Sequence, residues 1–128
     1  SRLPFTMRIL LIDDNEELRE FLAMCLTEVS IDVEAVGSPQ EAIAKADAAK
    51  FDAFVVDSIL GEYDGLSLVS DLLAAKNGKG VPVMLMSNIS TALARRVAQN
   101  AGCHEFLVKP FGQSQFVEQV RGLQKYKR

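Results

Sequence analysis

Ile9-Leu10-Leu11-Ile12-Asp13-Asp14 is the stretch on which the reading of this chain turns. A run of four aliphatic residues closed by polar ones suits a strand buried on both faces of a parallel sheet. Similar runs recur downstream, at residues 51–56 (broken by Asp52), 81–86 (broken by Pro82) and 106–108. A weaker segment, Val33-Glu34-Ala35-Val36, alternates apolar and polar side chains. That alternation places it at a sheet edge.

Between the runs lie segments of helical period. Leu18, Phe21, Leu22, Cys25, Leu26 and Val29 recur at i, i+3, i+4, i+7, i+8 and i+11, one face of a helix. Ser38-Pro39-Gln40-Glu41 opens a second helix with a capping box and proline at its first position. Leu68, Val69, Leu72 and Leu73 mark a third, ended by Asn77-Gly78-Lys79-Gly80. Ala94, Val97, Ala98 and Ala101 mark a fourth, closed by Gly102, and Phe116, Val117, Val120 and Leu123 a fifth. The alternation predicts an α/β domain of (βα)5 form, with right-handed helical crossovers covering both faces of an open sheet.

Composition sets the outer bounds. The chain has 128 residues, 48% hydrophobic and 24% charged, enough for one domain with its own core and no disulfide or metal staple. Aromatics make up 7% and tryptophan is absent, an average mix that argues against disorder or a coiled coil. A net charge of −3 disfavours direct nucleic-acid binding, which requires a basic face. Cys25 and Cys103 sit in apolar contexts, as small buried hydrophobes rather than a secreted disulfide framework. No run approaches the ~18 apolar residues that span a bilayer. The first apolar run ends in two aspartates, unlike a secretory segment, so no membrane contact and a cytoplasmic location are expected. Residues 1–6, ahead of Met7, read as an extension or added sequence. Residues 7–126 read as one domain and 127–128 as its tail.

In an open α/β sheet, ligands bind beyond the carboxyl ends of the strands. The residues that end each run are therefore the informative ones: Asp13-Asp14, Asp57, Ser87 and Lys109-Pro110. Singly, each has a structural explanation; Asp14 or Asn15 can cap the helix that follows. Together they deliver three carboxylates, a hydroxyl and an ammonium to one rim. Converging acids repel unless a cation neutralises them. An oxygen-only donor set without histidine or thiolate suits Mg2+ or a similar hard cation. Lys109 offers a point charge for an incoming anion.

These residues, in this order and strand context, resemble the receiver domain of two-component response regulators, the family that includes the chemotaxis regulator. The resemblance spans residue 7 to about 126 and implies a flavodoxin-like three-layer sandwich with strand order 2-1-3-4-5. It implies that Asp14 ligates Mg2+ directly, Asp13 mostly through water, and Asp57 and the Ile59 carbonyl complete the set. Asp57 is then the phosphoacceptor, with Ser87 and Lys109 on the phosphoryl oxygens. The Lys109-Pro110 bond is usually cis in this family, an isomer within reach of proline. The phosphodonor is a histidine kinase or histidine phosphotransfer protein. Ser87 moves on phosphorylation, Phe106 turns inward, and the fourth helix, fifth strand and fifth helix form the output surface, through which a homodimer could also form. The domain is then a stoichiometric acceptor that catalyses its own phosphorylation and dephosphorylation, not a turnover enzyme.

The chain departs from the family pattern at four places. Gly61 stands where proline is usual, which loosens that loop. Tyr63 stands where methionine is common, Ser87 where threonine is commoner, and Asn88 where a small residue is frequent. Ile59 and Ile89 flank the water path to the phosphoryl group and cannot orient water, which predicts a long-lived acyl phosphate. Two alternatives stay open. One is a receiver-fold binding module that works without phosphorylation. The other is an aspartyl-phosphate phosphatase, disfavoured because Ile59 stands where its second aspartate belongs. The output function, and the identity of any downstream target or effector domain, are not encoded in these residues.

Overall fold

Each aliphatic run becomes a strand. A computed structural model describes residues 7–127; the extension assigned to residues 1–6 and Arg128 of the tail lie outside the described residues. The strands are β1 (Arg8–Ile12), β2 (Asp32–Val36), β3 (Ala53–Asp57), β4 (Val83–Ser87) and β5 (Glu105–Val108). The helices are α1 (Glu16–Thr27), α2 (Pro39–Ala48), α3 (Gly65–Ala74), α4 (Ala92–Asn100) and α5 (Gln113–Gly122), the last continued by a 3-10 turn, Leu123–Tyr126. The five strands pair in parallel in the order β2-β1-β3-β4-β5. This is the expected doubly wound, flavodoxin-like fold, with the alternating strand β2 at one edge.

Alternate strand residues feed two separate cores, because successive side chains point to opposite faces. Leu10, Ile12, Phe54, Val56, Val83 and Leu85 pack with buried residues of α2, α3 and α4. Ile9, Leu11, Val55, Met84, Met86 and Leu107 pack with α1 and α5. The helix starts follow their caps. The Asn15 side chain accepts the Leu18 N–H to open α1, and Ser38 exchanges bonds with Glu41 to open α2. Both cysteines are buried and free, and burial pushes the Cys103 thiol up to about 12.

Two expected helix faces are only partly core. Phe21 on α1 and Val97 on α4 are each 44% exposed, and Ala98 is the buried residue of α4. Strand limits also differ from the apolar runs. β4 begins at Val83 rather than residue 81, since Pro82 has no N–H for the ladder and contributes its carbonyl to Phe54 N–H instead. At the other end, β3 and β4 each run one residue further than the apolar stretch, so that Asp57 and Ser87 are their last residues.

Candidate functional site

The extra strand residues matter because parallel strands discharge their last side chains at one edge. Asp13 and Asp14 follow β1, Asp57 ends β3, Ser87 ends β4 and Lys109 follows β5. Carboxylate oxygens of Asp13, Asp14 and Asp57 all lie within 4.8 Å of one another. Asp13 and Asp57 are buried while Asp14 is exposed. Across 52 residues of sequence, Lys109 Nζ donates to Asp57 Oδ2 at 2.8 Å. The other Asp57 oxygen accepts the Ile59 N–H at 3.0 Å. Ser87 is buried beside them; its Oγ accepts the Ile89 N–H at 3.0 Å, and its carbonyl accepts the Lys109 N–H at 2.8 Å. The Lys109-Pro110 peptide is cis. The three acids and the Lys109 ammonium therefore meet, and Ser87 ends the neighbouring strand at the same edge of the sheet.

The cluster carries an uncompensated negative charge. Asp13 is pushed from its ordinary 3.8 up to about 6, first by burial and then by the charge of Asp57. The Asn15 N–H and Lys109 act in the opposite direction. Asp13 Oδ1 accepts the Asn15 N–H at 2.9 Å, whereas Oδ2 is buried with no hydrogen-bond partner. A buried carboxylate oxygen without a partner is costly. An all-oxygen donor set with such an atom fits a hard divalent cation rather than a softer metal.

Two features of the rim were not legible as elements. Ile59–Leu60 and Tyr63–Asp64 pair as a minimal antiparallel hairpin directly after β3. Its turn has Gly61 at φ +64 and no positive φ at Glu62, the pattern that places glycine first in a two-residue turn. The loop that Gly61 was expected to loosen is thus a closed hairpin. Tyr63 turns toward α3, donating its hydroxyl to Asp71 Oδ2 at 2.8 Å. The second feature is an apolar cavity of about 380 Å³ beside Ser87, lined by Ile59, Leu85, Ile89, Val97 and Phe106 among others. Phe106 is half-buried there, with the Arg95 guanidinium 5.0 Å from its ring centre. Asn88 is exposed at the same rim.

A family model described as the response regulator receiver domain matches residues 9–121. The chain belongs to that family. Among relatives, the receiver domain is 30% identical over 117 residues to the transcriptional regulatory protein TrcR of Mycobacterium tuberculosis, covering 91% of this chain and 45% of that protein. It is 27% identical over 117 residues to the transcriptional regulatory protein CusR of Escherichia coli, covering 91% and 51%. The chain spans about half the length of the curated relatives it matches. Among solved structures, the receiver domain of the Francisella response regulator 1452 superposes with a TM-score of 0.84 at 24% identity, covering 94% of this chain and 98% of that one. The receiver domain of the sensor histidine kinase PA1611 from Pseudomonas aeruginosa superposes with a TM-score of 0.78 at 28% identity, covering 94% and 96%; that structure has a magnesium ion coordinated in its active-site cleft. The relatives are bacterial, and among the described residues no helix is long and apolar enough to cross a membrane.

Proposed function

We propose that this receiver domain is a phosphoacceptor in His–Asp signal transduction, with Asp57 taking a phosphoryl group from a histidine kinase or histidine phosphotransfer protein. The observation that carries the reading is the buried Asp57 carboxylate, shared between Lys109 and the acidic cluster at one solvent-open rim. Asp13, Asp14, Asp57 and the Ile59 carbonyl would hold Mg2+. Bound there, the cation supplies positive charge against the oxygens of the transferring group.

Asp57 supplies the nucleophile. One carboxylate oxygen forms a bond to phosphorus as the phosphorus–nitrogen bond of the donor histidine breaks, and that electron pair returns to the imidazole. Lys109, already 2.8 Å from Asp57, is placed to follow the charge onto a phosphoryl oxygen. The Ser87 hydroxyl accepts the Ile89 N–H and keeps its own proton to donate to another. The chemistry is positioning and electrostatics with one acceptor per chain, so the domain acts as a stoichiometric acceptor rather than a turnover enzyme.

Signalling then follows from movement of Ser87 toward the new phosphoryl oxygen. Phe106 borders the cavity beside Ser87, so space vacated there is space into which an aromatic ring can turn. The ring has no hydroxyl to hold it outward, which leaves burial as the driving force. Phosphorylation biases the two arrangements by its differential affinity for them, read out on the α4–β5–α5 surface by an effector domain or partner protein. Incubation of the protein with acetyl phosphate and Mg2+, followed by intact mass analysis, tests the assignment. The expected result is one phosphoryl group on the wild type and none on Asp57→Ala. Equal labelling of both would place the chemistry elsewhere, and no labelling of the wild type would favour a receiver-fold binding module instead.

A further inference from the structure

Asp13 is held at three of its four polar atoms. Its N–H donates to the Val36 carbonyl at 3.2 Å, its Oδ1 accepts the Asn15 N–H at 2.9 Å, and its main-chain carbonyl accepts Nη1 of Arg19 at 2.8 Å. Oδ2 is left as the uncommitted buried atom. The first two bonds are what a strand end and a short turn supply locally. The third comes from a side chain one helical turn into α1 that reaches back over the start of its own helix.

That side chain has a prepared seat. A Cβ at Gly37, one residue past β2, would stand 2.7 Å from Arg19 Nη1 and 3.3 Å from Cζ. The left-handed glycines are Gly61, Gly80 and Gly102, so Gly37 takes a backbone that alanine can adopt. Conformational freedom does not account for this glycine; room for the guanidinium does. The Arg19 side chain is only 20% exposed, and its nearest acid, Glu16, is 4.0 Å away at the edge of ion-pair range. The guanidinium is therefore committed to the Asp13 carbonyl and not to a strong surface pair.

We infer that Arg19 is a positioning residue for the cation site and that Gly37 is the notch that seats it. By clamping the Asp13 main chain between β1 and β2, the pair fixes where Oδ2 sits before any cation arrives. The inference rests on the metal reading above, and electrostatics separates it from a general charge effect. A cationic side chain beside acidic ligands opposes a second cation, so if charge were its whole contribution, losing Arg19 would tighten Mg2+ binding. Positioning predicts the reverse.

Calorimetric titration of the full chain with MgCl2, at neutral pH, decides between them. Gly37→Ala keeps the guanidinium and its charge but pushes it off the carbonyl. Only the far end of a flexible side chain has to move, so this variant folds even if Arg19→Ala does not. The expected result is that Gly37→Ala and Arg19→Ala each weaken Mg2+ binding by about tenfold, the low end for loss of an outer partner of a metal ligand. The double variant should bind no more weakly than Arg19→Ala, because Gly37 acts through Arg19. Wild-type affinity or tighter binding in Gly37→Ala overturns the inference, as does full additivity in the double variant. Absence of Mg2+ uptake by the wild type is a different failure, which removes the metal reading itself.

Discussion

At the scale of single residues, the rim combines three clustered acids, one with an unpartnered buried oxygen, with two apolar sentries. Ile59 and Ile89 are 58% and 60% exposed, and both border the cavity beside Ser87. Hydrolysis of an acyl phosphate needs a water held in line with phosphorus, and neither isoleucine has a polar atom to hold one. Ile59→Asn should therefore shorten the lifetime of phosphorylated protein several-fold, measured as loss of label after removal of acetyl phosphate; an unchanged lifetime would rule out the sentry role. The acids, Ser87 and Lys109 were legible in sequence because a parallel βα sheet sends every strand's carboxyl end to one edge. Arg19 and Gly37 were not. A side chain bonding a main-chain carbonyl leaves no periodicity, and the one available signal was a glycine just past an edge strand.

At the scale of elements, the joint between β3 and α3 is tight and lies next to the site. Asp57 ends β3, the hairpin turns at Gly61, and Gly65 closes the loop by donating its N–H to the Ser58 carbonyl at 2.9 Å. A Cβ on Gly65 would lie 2.2 Å from the Asp57 carbonyl oxygen and 2.8 Å from Ser58 Cα, both backbone atoms that cannot step aside cheaply. Gly65→Ala should lower stability by about 1–3 kcal/mol, the usual range for overpacking, and reduce acetyl phosphate labelling by displacing Asp57. Gly122→Ala, at a helical position with nothing within 4 Å, should be neutral or stabilising by up to about 1 kcal/mol. Urea unfolding of the two variants checks the contrast, and equal midpoints would show the joint to be slack. The hairpin itself was invisible in the sequence, since strands of two residues carry no alternation to detect. The exposed faces of α1 and α4 show the converse limit: helical period locates a helix but does not say how much of its apolar stripe the sheet can cover.

At the scale of the whole molecule, the fold supports its functional rim at a cost in stability. Two cores on opposite sheet faces hold the strands, and the strands bring together acids that repel. Asp13 records the conflict. Its folded-state value of about 6 lies above the ordinary 3.8, so the folded chain binds this proton more tightly than the unfolded chain does. The stability contributed by that proton is complete below about pH 4 and disappears as pH rises through 6. A cation at the cluster works the other way, because it binds the ionised carboxylates and stabilises the folded state by RT ln(1 + [Mg2+]/Kd), about 2.7 kcal/mol at a hundredfold excess over Kd. In chelator, the wild type should therefore lose Tm relative to Asp13→Asn as pH is raised from 4.5 to 7.5. The neutral amide carries no such titration, and comparing the two variants cancels the pH response of carboxylates outside the cluster. Added Mg2+ should raise the wild-type Tm more at pH 7.5 than at pH 5, and raise that of Asp13→Asn less at either. Parallel Tm curves for the two proteins across this range would mean that Asp13 is not under electrostatic load, and an Mg2+ response independent of pH would mean that the cation does not meet this carboxylate.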